Sequence, residues 1–279
     1  MPANADSHSL FSVHMSSLTE DVLKDTYWGD KIRQLFQLLG AFDSGIAEEF
    51  GVDSPQDQRL QRIVRFCVPL FELCKEAIGL DLDPSFLAAM YLWQEVWPSL
   101  DNILDREEDF ISSIKQYNVC LLRAYAFHSK VFGDCATSDF LTCLFDNLEA
   151  ERNRESRADP SQIFLRVRIY EVVLERLPQI PHGVRAAYRA YINAIGTAHD
   201  FVDVIDDLKV GQVTFSTETF RSIDEHLRFH HQNFEALRLC VKEEFRRQEE
   251  PLRSPDLERC WITRRSLNAY CEWAFSGQN

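Results

Sequence analysis

Two aspartates, Asp101 and Asp105, close a long apolar run and stand four residues apart. On a helix such a pair falls on one face, one turn above the other. Carboxylates held that way repel each other unless a cation lies between them, and a hard divalent ion such as Mg²⁺, which takes oxygen ligands, meets the need. Further along the chain a second cluster runs His199, Asp200, Asp203, Asp206, Asp207. Within it His199, Asp203 and Asp207 follow at i, i+4 and i+8, so a helix would place them on one stripe, with Asp200 and Asp206 flanking it. Ligation rich in oxygen and free of cysteine favours Mg²⁺ or Mn²⁺ over zinc. Such ions keep positions open for water and phosphate oxygens. The chemistry predicted is therefore diphosphate binding, in which metals and nearby Arg or Lys neutralise a leaving group.

The elements that must hold these residues are helices. Asp83-Pro84 gives a cap followed by proline at the first helical position. The helix it opens carries Trp93, Trp97 and the first aspartate pair. Its apolar residues run nearly all round, as in a helix buried in the middle of a bundle. Pro98 interrupts it three residues before Asp101, where a kink or a shifted turn is expected. One long helix over 183–208, ended by Gly211, is predicted to carry the second cluster. Further helices are predicted over 28–50, from Asp53-Ser54-Pro55 to about 78, over 108–132, 140–155, from Asp159-Pro160-Ser161 to the prolines at 178 and 181, over 217–248, and from Ser254-Pro255 to Trp273. The pattern contains no strand alternation, and 10 Gly and 10 Pro leave little room for the turns of an all-β chain. The expectation is an all-α bundle, with residues 1–25 as a flexible N-terminal arm and 26–279 as one helical domain.

Composition narrows the classes. The 279 residues suffice for a sizeable core. The net charge of −14 argues against nucleic acid or anionic membranes as partners. No segment approaches 18 consecutive apolar residues, so no membrane span is expected. The eight cysteines form no CxxC pair and fall mostly inside apolar helical patterns. They read as reduced core residues of a cytoplasmic protein, and no secretory signal is seen at the N-terminus.

Over roughly residues 80–279 the chain resembles the class I terpene synthases, in the superfamily they share with trans-isoprenyl diphosphate synthases. Asp101-Asn102-Ile103-Leu104-Asp105 is similar to their DDxxD/E motif, with Asn102 in the second place. His199-Asp200-x-x-Asp203-x-x-x-Asp207 resembles their NDxxSxxxE motif. In an alternative register, led in by Gly196-Thr197-Ala198, Asp203 and Asp207 take the outer positions of a second prenyl-synthase aspartate motif. The stretch 160–168 resembles the helix bearing the diphosphate-sensing arginine, with Arg168 as that arginine and Glu171 and Val172 in the linker and effector places. Trp273-Ala274-Phe275-Ser276-Gly277-Gln278-Asn279 looks like the W…SGRY ending.

The resemblance implies an isoprenoid-synthase bundle with a central cavity. It implies Mg²⁺ (or Mn²⁺) held by Asp101, Asp105, His199, Asp200, Asp203 and Asp207, and diphosphate met by Arg168. Trp93, Trp97 and Val172 would line the cavity, where aromatic faces stabilise cations. The implied reaction is ionisation of a linear prenyl diphosphate, with farnesyl diphosphate the first expectation, followed by cyclisation of the carbocation. A homodimer is compatible with it. Three departures stand out: His199 replaces Asn, Gln278-Asn279 replaces the terminal Arg-Tyr, and Arg106-Glu107-Glu108 stands where chain-elongating synthases have Arg-Arg-Gly. Lys209, Arg264 and Arg265 are the candidates to replace the lost diphosphate contact. A prenyltransferase, in which a second substrate captures the cation, and a non-catalytic relative remain the alternatives.

Overall fold

The computed structural model of the chain describes residues 5–43, 56–104, 110–133, 142, 145–146, 149–150, 153–166, 180–226 and 230–275. The described residues are almost entirely helical, with no strand among them. They cluster into two compact units. One comprises Thr19–Cys143 and Ile169–Ile180, and the other comprises Met1–Leu18, Leu144–Arg168 and Pro181–Asn279.

The first unit carries the first aspartate cluster. Its helix Thr26–Asp43 starts where Asp25 Oδ1 accepts from the amides of Tyr27 (2.9 Å) and Trp28 (3.0 Å). Trp28, Ile32, Leu35 and Leu39 make its buried stripe. A Cβ on Gly29 would lie 2.5 Å from the Leu23 carbonyl oxygen, so only glycine admits that approach. The helix predicted from Asp53-Ser54-Pro55 to about Ile78 is interrupted within its described residues. Gln56–Arg62 passes into a wide turn at Ile63–Cys67, where the Val68 amide reaches back five residues to the Ile63 carbonyl, before Val68–Ile78 continues. Pro69 supplies the reason: it has no N–H to give, and in a regular turn its ring would meet the Arg65 carbonyl. Gly79, at φ 66°, ends this helix, with the Leu80 amide bonded to the Cys74 carbonyl at 3.1 Å. Lys31 then ties the following loop to the first helix, at 2.7 Å from Asp81 and 2.8 Å from the Leu82 carbonyl.

Asp83 caps the next helix as predicted, accepting from the Ser85 amide at 2.8 Å and its hydroxyl at 2.6 Å. That helix, Pro84–Leu104, continues through Pro98 and packs along Phe110–Phe132. Leu87 through Val96 are all buried, as the apolar pattern requires.

In the second unit the organising element is His182–Val202, against which Ile163–Arg166, Phe215–His226, His230–Glu249 and Trp261–Phe275 all pack. Two small features fit the 160–166 segment to it. Gly196 admits Ile163, whose Cγ2 would lie 2.4 Å from a Cβ there. The buried Asn193 accepts from the Phe164 amide at 2.8 Å and donates to the Ser161 carbonyl at 3.1 Å.

Several expectations are revised. Residues expected as a loose arm form the helix Ala5–Lys24, in which Met15, Leu18 and Val22 are buried. Together with Phe11 they keep the spacing i, i+4, i+7, i+11, a sparse stripe among many polar residues. Phe11 stacks on Trp273 with ring centroids 4.6 Å apart, and His14 Nδ1 lies 2.9 Å from Glu272. The helix predicted over 183–208 is two, His182–Val202 and Val204–Val210, parted at Asp203 and closed by Gly211 at φ 74°. Of the helix predicted over 217–248, Phe215–His226 and His230–Glu249 are helical, and residues 227–229 lie outside the described residues. Among the described residues no helix is long and apolar enough to cross a membrane.

Candidate metal and diphosphate site

The second cluster stands at the end of the His182–Val202 helix. Asp203, at φ −86° and ψ −2°, leaves the regular helix in the bridge region. Even so, the Asp203 amide keeps its bond to the His199 carbonyl (3.1 Å) and the Asp207 amide its bond to the Asp203 carbonyl (2.9 Å). The backbone bonds that join the three positions of the predicted stripe thus persist across the irregularity. The side chains are open to solvent. His199 Nδ1 lies 3.1 Å from Asp203 Oδ2, with 55% and 45% of the two side chains exposed. Asp200 and Asp207 are partly buried.

Aromatic packing fixes what lies beside this cluster. The Trp273 and His199 rings meet edge to face with centroids 5.9 Å apart, and Phe275 stacks on Phe201 at 5.5 Å and abuts Phe245 at 5.6 Å. Arg238 donates to the Phe275 carbonyl at 2.9 Å while its other nitrogens pair with Glu235. The end of the last helix is therefore held against the second cluster. Residues 276–279, including Gln278 and Asn279, lie outside the described residues.

The candidate cations are distributed differently. Lys209 pairs with Asp206 at 2.6 Å, both side chains largely exposed. Arg264 donates to the Glu258 carbonyl at 3.3 Å, and Arg265 lies over the Trp261 ring at 5.8 Å. These two arginines stand at the start of Trp261–Phe275, about 13 Å along the axis from Trp273 at 1.5 Å per residue. The structure brings His199, Asp203 and Trp273 together but does not bring Arg264 and Arg265 to them. Arg168 and Val172 lie outside the described residues.

The approach to Arg168 is defined. Asp159 accepts from the Ser161 amide (2.9 Å), the Ser161 hydroxyl (2.7 Å) and Gln162 Nε2 (2.9 Å). Burial raises the Asp159 carboxyl, but these hydrogen bonds and the charge of Arg247 outweigh it and hold the group below the usual carboxylate range.

In the other unit, Asp101 belongs to the last turn of Pro84–Leu104, and Asp105 lies outside the described residues. Trp97 lies on the same helix. Trp93 is fully buried, its ring edge toward His128 at 6.2 Å, and His128 in turn meets Phe132 at 4.7 Å. In this structure Trp93 packs as core.

Sequence reasoning passed over a buried charged cluster on the same helix. Glu95, 5% exposed, receives Arg123 Nη1 at 2.8 Å and the Tyr91 hydroxyl, with Arg59 Nε at 3.7 Å. Burial raises the Tyr91 phenol, and the charge of Glu95 raises it further. The signal was present, because Glu95 and Asp101 are the only charged residues in Pro84–Leu104.

The donor chemistry of the acidic clusters suits a hard cation. Among the described residues, however, no three His, Cys, Asp or Glu side chains gather closely enough to hold one. No family model, curated protein or solved structure matches the chain.

Proposed function

We propose that this protein is a Mg²⁺-dependent class I terpene cyclase that ionises a linear prenyl diphosphate, farnesyl diphosphate first, and cyclises the carbocation in an apolar cavity of an isoprenoid-synthase bundle. One observation carries the reading. Three stretches that the resemblance assigns to diphosphate handling, far apart in sequence, meet one helix: the second cluster ends it, Trp273 and Phe275 pack on His199 and Phe201, and the segment leading to Arg168 docks on Asn193 and Gly196.

In this reading Asp101, Asp105, Asp200, Asp203 and Asp207 would hold Mg²⁺, with His199 beside them. When bound, the ions supply positive charge to the departing diphosphate. The rest falls to the chain itself. Arg168 binds the diphosphate, Trp97 and Val172 shape the cavity, and the Trp273–Phe275 end packs beside the cluster. No side chain need act as a nucleophile.

The test is incubation of the purified protein with Mg²⁺ and geranyl, farnesyl or geranylgeranyl diphosphate in turn, following both diphosphate release and hydrocarbon products. Metal-dependent release with a cyclic product, lost in both Asp101→Ala and Asp203→Ala, is the expected result. Release only when a nucleophilic co-substrate is added would make it a prenyltransferase. Absence of release under both conditions would sink the catalytic reading and leave a non-catalytic relative, a role with which Gln278-Asn279 in place of Arg-Tyr is compatible.

A further inference from the structure

The helix Pro84–Leu104 poses a problem of orientation. It is apolar nearly all round, and Leu87, Ala88, Ala89, Met90, Tyr91, Leu92, Trp93 and Val96 are all buried. Hydrophobic attraction is non-directional, so an apolar surface of this kind leaves the rotation and sliding of the helix weakly specified. A slip by one ridge of side chains, four residues at 1.5 Å each, would move the end of the helix by about 6 Å.

We propose that Glu95 and Arg123 form a register lock, a buried charged pair that fixes Pro84–Leu104 against Phe110–Phe132 and so sets the level at which Asp101 is presented. Glu95 is the one charge of this helix besides Asp101. Its carboxylate takes Arg123 at 2.8 Å from the facing helix, Tyr91 from its own, and Arg59 at 3.7 Å from Gln56–Arg62. One turn on, Ser99 Oγ bonds the Glu95 carbonyl at 3.0 Å and reaches Cys120 Sγ at 3.7 Å, adding a second cross-link between the same two helices. Glu95 and Arg123 are each 5% exposed. Desolvation cancels much of the attraction in such a pair, and well-packed apolar residues often give equal or higher stability. What the charges add is direction: one oxygen of the Glu95 carboxylate takes Arg123 Nη1 and the other the Tyr91 hydroxyl, and a shifted register would break the bond between the helices. Glu95 and Arg123 are positioning residues, and their link to function rests on the terpene-cyclase reading of Asp101.

The test replaces the pair in the full chain by apolar residues of similar volume, Glu95→Leu with Arg123→Met. Thermal midpoint, amide hydrogen exchange over 95–104, and Mn²⁺ binding by electron paramagnetic resonance are the measurements. The expected result is exchange over 99–104 split into two populations, with a melting temperature lowered by the Tyr91 hydroxyl left without its acceptor. Mn²⁺ affinity should be about tenfold weaker, the scale on which ligand-orienting partners act. A single exchanging population with wild-type protection would overturn the lock, whatever the melting temperature. Should the double variant fail to fold, Arg123→Lys, which keeps the charge and loses the planar fork, decides on the same exchange criterion. The exchange result judges the lock alone, whereas a wild-type protein that binds no Mn²⁺ counts against the metal-dependent reading and leaves the lock standing.

Discussion

The two acidic clusters end two helices that are oriented by opposite means. Pro84–Leu104 is apolar on every side and carries a buried charged network at Glu95, Arg123, Tyr91 and Arg59. His182–Val202 separates its faces, with Tyr188, Tyr191, Ala194, Ile195 and Ala198 buried while His199 and Asp203 stay open to solvent. An amphipathic helix takes its rotation from its pattern and can leave its acidic residues in water. A helix without a polar face has no such guide, and a few buried hydrogen-bonded charges must supply one.

The contrast predicts very different costs for removing a charge. Glu95→Ala leaves Arg123 buried without its carboxylate and should destabilise the first unit by about 3–5 kcal/mol in urea unfolding. Asp203→Ala, which breaks a solvent-exposed pair, should cost about 0–1 kcal/mol while abolishing diphosphate release. Equal costs at the two positions would break the comparison.

Shape rather than charge should govern the second helix. A Cβ at position 196 would stand 2.4 Å from Ile163 Cγ2, on a β-branched side chain that is itself buried. Gly196→Ala is therefore expected to cost about 1–3 kcal/mol by overpacking, against the gain in helix propensity that alanine normally brings. A double-mutant cycle with Ile163→Ala checks this, since the penalty should shrink once the Ile163 side chain is removed.

A smaller effect tests the approach to Arg168. The Asp159 carboxyl is held below its ordinary value in the folded chain. Its contribution is then complete above the unfolded value of about 3.9 and is lost as pH falls through the lower folded value. Asp159→Ala should lower stability by about 1 kcal/mol near neutral pH, as loss of a cap does, and the difference from wild type should narrow below about pH 4. Denaturant titrations between pH 2 and 7 would show it, and a difference unchanged by acid would rule out the ionised cap.

Not all of this was equally legible in the sequence. The Asp83-Pro84 and Asp159-Pro160 starts and the Gly79 and Gly211 stops were within reach, because a cap or a left-handed glycine acts on its own backbone neighbours. The Ala5–Lys24 helix was passed over because its apolar stripe is thin, and it gains its stability from packing of Phe11 on Trp273 and Tyr270. The wide turn at Ile63–Cys67 follows from Pro69, though the pattern around it reads as plain helix. The candidate site was legible as residue types and spacing, whereas the partners of those residues were not.

By itself, then, the sequence determined the helical class, several helix boundaries among the described residues, the burial of Leu87–Val96 and the two acidic clusters, since each depends on residues within a few turns of one another. Only the tertiary structure decided that the chain leaves the helix at Asp203, that Lys209 turns to Asp206, that Trp273 packs beside His199 and that Glu95 finds Arg123. Rotamers and partners depend on which helix packs alongside, and the pattern of one helix does not encode the face its neighbour presents.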